Sequence, residues 1–228
     1  MKNLGEEHEN LDQKAYLIIK EMITNRKLLP GDKIPQEKLA HELGISRTPL
    51  VSALKYMEKE KLVEALPRRG FFVRLFSTQE MISIFELREV LEGLAARRAA
   101  IYISDNQIYK LKRFFNQFST PIDHSRYKAY AMEDRQFHSF VTEIGSTEFL
   151  KSILQSYNII SFSYQVISSD GLVRPPDETI REHLALIDAI CSRAPDDAEA
   201  LMRQHFIRTI RFLKDEFDKE VTAVNYWR

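Results

Sequence analysis

Apolar residues recur at intervals of three and four through almost the whole chain, and that period breaks clearly only once, between Leu62 and Leu75. A chain with this pattern is confined to mainly α architecture. The break consists of two short runs, Leu62 to Leu66 and Phe71 to Leu75, flanking Pro67-Arg68-Arg69-Gly70. Partly β-branched or aromatic runs on either side of such a turn predict a β-hairpin. Before it, the spacing predicts three helices. Leu11, Ala15, Ile18 and Met22 mark the first, which ends before Leu29-Pro30-Gly31. Gln36 to Leu43 form a second, stopped by Gly44. Ser46, a good N-cap, opens a third that tolerates Pro49 in its first turn and runs to about Lys61.

Beyond the hairpin, Ser77-Thr78-Gln79-Glu80 is a capping-box pattern, and it opens a helix with Ile84, Leu87, Leu91 and Leu94 as its apolar positions. Further helices are predicted over 104–118, 124–144, 147–168, 177–192 and 195–219. The breaks between them fall at Ser119-Thr120-Pro121, Gly145-Ser146, Asp170-Gly171 and Ala194-Pro195. No strand alternation follows Leu75. The expected organisation is an acidic leader over 1–10, a winged helix-turn-helix domain over 11–75, an all-helical bundle of about six helices over 78–219, and a tail over 220–228. A length of 228 residues suits two domains better than one.

Composition narrows the function classes. The apolar share of 44% and charged share of 29% fit an ordinary globular chain. A single cysteine, Cys191, excludes an internal disulfide framework and a cysteine-built metal site, and suits a reducing cytosol. The first ten residues carry no apolar run, and the stretch Ile153 to Ile167 is broken by Gln155, Asn158 and Gln165. The expectation is therefore a cytoplasmic protein with no membrane partner. The net charge of zero hides an asymmetry: residues 1–75 hold 14 basic against 11 acidic side chains, and 76–228 hold 19 against 22. Without the leader the first domain carries 13 against 8, a modest bias toward an anionic partner.

The first domain supplies a candidate for that partner. A short helix, a tight turn at Gly44 and a second helix opened by Ser46 place Ser46, Arg47 and Thr48 where recognition helices reach base edges. A bidentate Arg47–guanine contact is worth about 1–3 kcal/mol of discrimination. Arg68 and Arg69 at the hairpin tip suit phosphate or minor-groove contact, and Gly70 lets the backbone approach a duplex closely. On geometry alone, a packing motif with a solvated Arg pair fits equally well. The residues carry more. Leu29-Pro30-Gly31-Asp32-Lys33, Leu39-Ala40, Leu43-Gly44-Ile45-Ser46-Arg47-Thr48-Pro49, Ala53-Leu54 and Arg69-Gly70-Phe71-Phe72-Val73 closely resemble the GntR family of bacterial transcription regulators over residues 11–75. The resemblance implies binding to a double-stranded DNA operator as a homodimer. Two positions depart from the family. Val51-Ser52 stands where Arg-Glu is common, which implies a different operator or weaker binding. Lys61 stands where Gly is usual, so a lysine must take the helix-end conformation that Gly takes more easily.

The second domain offers one carboxylate and three imidazoles. Of six histidines, His8, His41 and His124 suggest no role. Asp134 and His138 are four apart and share a helix face. His183 falls among Ile180, Leu186, Ile187 and Ile190, and His205 near Leu201, Met202 and Phe212, both on the core side. Each alone reads as a hydrogen-bonded core histidine, and Asp134 as a surface carboxylate. Burying all four in one bundle without a shared partner is costly. A divalent cation resolves that cost, zinc first, with nickel or manganese as alternatives. Spacing alone leaves both readings open.

Here too there is a resemblance. Asp134-Arg-Gln-Phe137-His138, Glu182-His183-Leu-Ala-Leu-Ile-Asp-Ala-Ile190, Ala198 to His205, and Leu87-Arg88 followed by Leu91-Glu92 look like the FCD ligand-binding domain of the FadR branch of GntR regulators, over about 78–218. It implies that Asp134, His138, His183 and His205 hold a metal, and that a small carboxylate effector binds there. It also implies that Arg88 lines the effector cavity and pairs the carboxylate. On the residues alone, Arg88 fits a salt bridge to Glu92 at i+4 just as well. Ser146-Thr147 replaces the family's Gly-Asn, a loop change without chemical weight.

The leading expectation is a one-component transcriptional regulator, with repressor and activator modes both open. Two alternatives remain. A metal-dependent hydrolase or lyase needs a general base, for which Glu143 and Glu182 are near in sequence, although Glu182 adjoins His183 and should point about a quarter-turn away. The winged domain has no evident purpose in such an enzyme. The other alternative is a metal-free acyl-CoA-sensing regulator, against which the four ligand residues argue.

Overall fold

The computed structural model describes residues 10–154 and 172–226, with side chains described as far as Asp215. The chain divides into two compact units, Met1–Leu75 and Phe76–Arg228. In the first, α1 (Leu11–Thr24), α2 (Gln36–Glu42) and α3 (Arg47–Lys59) are followed by β1 (Val63–Leu66) and β2 (Gly70–Val73). The strands pair antiparallel, Val63 with Val73 and Leu66 with Gly70. The chain ahead of α2 adds to this sheet: Lys33 bridges Phe72, and the Ile34 N–H donates to the Phe71 carbonyl at 2.9 Å. Ile19, Ile34, Leu50, Leu54, Met57 and Val73 fill the core of the unit.

Of the expected row Leu11, Ala15, Ile18 and Met22, Ala15 is buried; it shares the buried stripe of α1 with Ile19 and Ile23, while Leu11 and Ile18 are exposed. The segment Leu17-Ile18-Ile19 offers apolar side chains on two faces, so periodicity could not choose between them. Lys61 has φ +63°, the left-handed conformation that the missing Gly would adopt without strain.

The second unit comprises α4 (Thr78–Tyr102), α5 (Asp105–Leu111), a 3₁₀ turn (His124–Arg126), α6 (Tyr127–Gly145), α7 (Pro176–Cys191) and α8 (Pro195–Tyr226), with residues 148–154 also helical. Ser77–Glu80 and Ser104–Gln107 close reciprocal capping boxes at the starts of α4 and α5. α4 is the central helix, packed along α8 and α6. Gly145 ends α6 directly against the α4 backbone at Ala95. Among the described residues no helix is long and apolar enough to cross a membrane.

Several expectations need correction. The helix expected over 104–118 stops at Leu111, because the chain turns inward: Phe115 takes φ +65°, is buried, and donates its N–H to Glu133 at 2.5 Å. The expected tail is helical, α8 continuing to Tyr226. The 147–168 helix lies largely outside the described residues. On α4, Leu87 and Leu94 are exposed, and Phe212 on α8 is partly so.

Candidate nucleic-acid interface and metal centre

The α2–turn–α3 geometry follows from Gly44, whose φ of +64° reverses the chain after α2. Ser46 occupies the N-cap position of α3 in an extended conformation, without a side-chain cap bond. Ser46, Arg47 and Thr48 are all exposed. The Arg47 guanidinium stands 3.4 Å from the Glu37 carboxylate. At the β1–β2 turn, Arg68 (φ +62°) and Gly70 (φ +96°) make the tight reversal, and the Arg69 guanidinium lies 5.2 Å from the centre of the Phe72 ring. The fold brings Arg47, Arg68, Arg69 and Gly70 together around a concave surface of about 670 Å³ that Lys33, Gln36 and Lys38 also line. Among the described residues, five cations against one carboxylate, Glu37, make it an anion-attracting surface. Lys33 and Lys38 were missed by the sequence reading. Lys33 reaches the surface through its bridge to Phe72, which no local pattern announces.

In the second unit, α6 supplies Asp134 and His138, α7 supplies His183 and α8 supplies His205. One ring nitrogen from each histidine lies within 4.8 Å of the other two, and all three residues are buried. Asp134 joins them, its Oδ1 standing 3.4 Å from the His183 Nε2. The four residues singled out in sequence are thus assembled at one place.

The outer partners of the imidazoles fix where their protons sit. His138 Nδ1 is 2.7 Å from a Glu92 oxygen, and His205 Nδ1 is 2.7 Å from a Glu182 oxygen. Carboxylates only accept, so both rings donate from Nδ1. His183 Nδ1 is 3.1 Å from the Tyr130 hydroxyl, which is 2.8 Å from the Thr179 hydroxyl, which in turn donates to the Pro176 carbonyl at 3.3 Å. A carbonyl cannot donate, so the chain runs one way: Thr179 donates to Pro176, Tyr130 to Thr179, and His183 Nδ1–H to Tyr130. In the neutral imidazole form each ring therefore presents a bare Nε2. That of His183 is fully buried and, among the described residues, has no hydrogen-bond partner. Three converging imidazole nitrogens and a carboxylate fit a cation.

The electrostatics agree. Burial, reinforced by the neighbouring His205 and His138, holds His183 well below the ordinary imidazole range, in its neutral form. Burial also lowers His205, against the opposing pull of its bond to Glu182. Burial works against the Glu92 carboxylate, yet Arg88 and His138 more than offset it and hold Glu92 down at about 2. Glu182 is likewise kept below the usual carboxylate range: burial opposes, but His205, Arg174 and Arg208 prevail.

Arg88 is buried on α4. Its Nε donates to Glu92 at 2.6 Å, and its guanidinium lies 4.6 Å over the Phe206 ring. It also lines a cavity of about 50 Å³ with Asp134, His138, Arg174, His205 and Thr209. Both sequence readings of Arg88 thus describe the same side chain. The outer residues were missed: Glu92, Tyr130, Thr179 and Arg174. Glu92 was visible only as the i+4 partner of Arg88. Glu182 does leave the cluster's centre, as its place beside His183 requires, but it turns onto His205 and the two guanidiniums of Arg174 and Arg208. Glu143 pairs with Lys151 at the surface.

A winged helix-turn-helix with a basic cleft, followed by a helical unit enclosing a polar cluster, defines a DNA-binding regulator. Residues 11–73 match the bacterial regulatory proteins of the gntR family, and residues 83–208 match the FCD domain. The chain belongs to the GntR family, carries an FCD domain, and is a DNA-binding transcriptional regulator. It is 25% identical to the HTH-type transcriptional repressor RspR of Escherichia coli (strain K12) over 195 residues, 86% of this chain and 85% of that one. It is 23% identical to the HTH-type transcriptional regulator YdhC of Bacillus subtilis (strain 168) over 200 residues, 87% and 89% of the two chains. The fold is similar to the crystal structure of a GntR transcriptional regulator from Rhodococcus sp. RHA1, with a TM-score of 0.74 and 15% identity over 91% of this chain and 99% of that one. These relatives regulate transcription and are not enzymes, which sets aside the hydrolase or lyase alternative.

Proposed function

We propose that this regulator is a cytoplasmic homodimer whose winged domain, residues 11–75, binds an operator through Ser46, Arg47, Thr48, Arg68, Arg69 and Gly70, and whose helical domain, residues 78–219, holds a metal and a small carboxylate effector. Asp134, His138, His183 and His205 hold one divalent cation. The donor set favours zinc, with nickel or manganese as alternatives. When bound, the metal supplies a Lewis-acid position for the effector's carboxylate, and Arg88 pairs with the same group. The observation that carries this reading is the buried, unpartnered Nε2 of His183 facing Asp134. A cavity of about 50 Å³ favours a compact carboxylate over a long acyl chain. Repression is the reading favoured by the likeness to RspR, which is named a repressor.

The homodimer reading is supported by an exposed apolar row on α4, formed by Leu87, Val90, Leu94 and Ile101. One helix face presented by each of two copies is self-complementary under two-fold rotation, and a two-fold dimer matches a palindromic operator. Effector binding regulates only if it favours one arrangement of that dimer over another.

His183→Ala tests the metal. The wild type should purify with, or take up, one equivalent of divalent metal and melt higher with it than with a chelator, the stabilisation being about 2.7 kcal/mol at a free metal concentration of about 100 Kd. The variant should lose the metal and the gain together. Equal metal content in both proteins, or none in the wild type after reconstitution, sinks the site.

A further inference from the structure

We propose that Glu92 and Tyr130 are positioning residues that determine which nitrogen of His138 and His183 is bare, and so determine whether the cluster can take a metal. This rests on the metal reading above and adds to it the residues that set ligand competence without touching the ion. Outer partners of this kind fix ring orientation and tautomer in metal sites generally.

Glu92 is fully buried on α4 and divides its two oxygens. Oε1 accepts from Arg88 Nε at 2.6 Å, and Oε2 accepts from His138 Nδ1 at 2.7 Å. Arg88 has only donors, so the atom facing it must be an acceptor. This constraint gives the isosteric change Glu92→Gln a definite consequence. The glutamine must turn its oxygen to Arg88, which leaves its NH₂ against His138 Nδ1. That nitrogen then becomes the acceptor, and the ring proton moves to Nε2, where the metal would sit. A single amide in place of a carboxylate thus blocks a ligand without removing a heavy atom. Adding Arg88→Met lifts the constraint, since the amide can then rotate and offer its oxygen to His138.

Tyr130 plays the same part for His183 from α6. Its hydroxyl accepts from Nδ1 because its own proton is committed to Thr179. Tyr130→Phe removes the acceptor and leaves a buried Nδ1–H with no partner. Asp134 Oδ1, 3.4 Å from Nε2, offers the proton an acceptor on the other side of the ring. The tautomer should therefore switch, again placing a proton on the ligating nitrogen.

The test uses the full-length protein and Zn²⁺ alone, with affinity measured by competition against a chelating dye. Glu92→Gln and Tyr130→Phe should each weaken zinc binding by about 10–100-fold, and the Arg88→Met/Glu92→Gln double variant should recover most of the loss. Long-range ¹H–¹⁵N correlation spectra of the metal-free proteins should show Nδ1–H at His138 and His183 in the wild type, with Nε2–H at His138 in Glu92→Gln and at His183 in Tyr130→Phe. A folded Glu92→Gln or Tyr130→Phe variant that binds zinc within about twofold of wild type overturns the proposal, as does a double variant no better than the single one. If Glu92→Gln fails to fold, Tyr130→Phe decides by the same two readouts. If the wild type takes no zinc, the metal reading fails, and the spectra separately confirm or refute the tautomer control.

Discussion

Gly145→Ala is expected to destabilise the helical unit although it inserts the best helix former into a helix. Gly145 is the last residue of α6, and a Cβ there would overlap the carbonyl oxygen of Ala95 on α4 and stand 2.6 Å from its carbonyl carbon. Non-bonded carbons settle at about 3.5–4.0 Å, so the two helices must part by roughly 1 Å. Ala95 is completely buried, and a core at crystal-like density has no slack to absorb the shift. Overpacking costs about 1–3 kcal/mol when side chains can adjust. Here the neighbour is backbone, so the upper figure applies. For a unit of this size that corresponds to a fall in Tm of roughly 6–12 °C. Helix propensity alone predicts a gain of about 0.5–1 kcal/mol, so the two arguments differ in sign. The separation also pulls Glu92 on α4 from His138 on α6, and zinc binding should weaken with stability. Thermal denaturation followed by circular dichroism, with the DNA-binding unit as an internal reference, reads the effect. A Tm equal to or above wild type refutes the close-approach argument.

Arg47→Ala should lose about 1–3 kcal/mol of operator discrimination, roughly a 5- to 150-fold loss, with the fold intact; a mobility shift unchanged at matched salt with competitor DNA removes Arg47 from the reading set. Replacing Arg68 or Arg69 by Ala should weaken binding to all sequences alike and reduce the salt slope by about 0.9 for each phosphate that the arginine neutralises; an unchanged slope contradicts a phosphate role. The metal-free protein should lose stability as pH falls. His183 is held neutral in the fold, so the unfolded chain takes up more protons from about pH 6.5 downward, and Glu92 adds a further loss between 4.5 and about 2. A melting temperature that rises on acidification contradicts both assignments.

The parts legible in the sequence were those with local causes. The capping box at Ser77 is reciprocal in space as in sequence, and the hairpin forms around its Pro67–Gly70 turn with a left-handed Gly70. His183 lies on the buried stripe that its neighbours Ile180, Leu186 and Ile187 define. The parts that were not legible depend on distant residues. Phe115 leaves helical conformation because Glu133, eighteen residues on, takes its N–H, and because its ring stacks 4.8 Å from His183. Neither partner leaves a trace in the local pattern, and 104–118 reads as one helix. The outer ring of acceptors is hidden in the same way. Glu92 is 46 residues from His138 and Tyr130 is 53 from His183, so only the assembled bundle reveals that they meet.

α4 shows where the periodicity rule holds for part of a row and fails for the rest: Ile84 is buried and Leu91 packs on the core, but Leu87 and Leu94 are exposed. The rule takes apolar residues as inward because it assumes water on the outward face. On α4 the inward face carries Arg88 and Glu92, 5% and 0% exposed, while Leu87, Val90 and Leu94 are 40–50% exposed. At ~100° per residue, Leu87, Val90, Leu94 and Ile101 fall within an arc of roughly 60° on the far side from Arg88 and Glu92. Both departures have a physical reason. The buried pair is held by the Arg88–Glu92 and Glu92–His138 bonds, and an exposed apolar row of this kind marks a face that another surface can cover. On the homodimer reading proposed above, a second copy of the chain covers it with the same row. Changing Leu87 and Leu94 together to Glu should then leave a monomer in sedimentation velocity, because it sets like charges against each other across a two-fold axis. Operator affinity should fall with it, since on that reading each monomer holds one half-site. Zinc-dependent stabilisation should persist, because neither leucine lines the cavity. A double variant that sediments as the wild type does, or a wild type that is itself monomeric, refutes the assignment of this face.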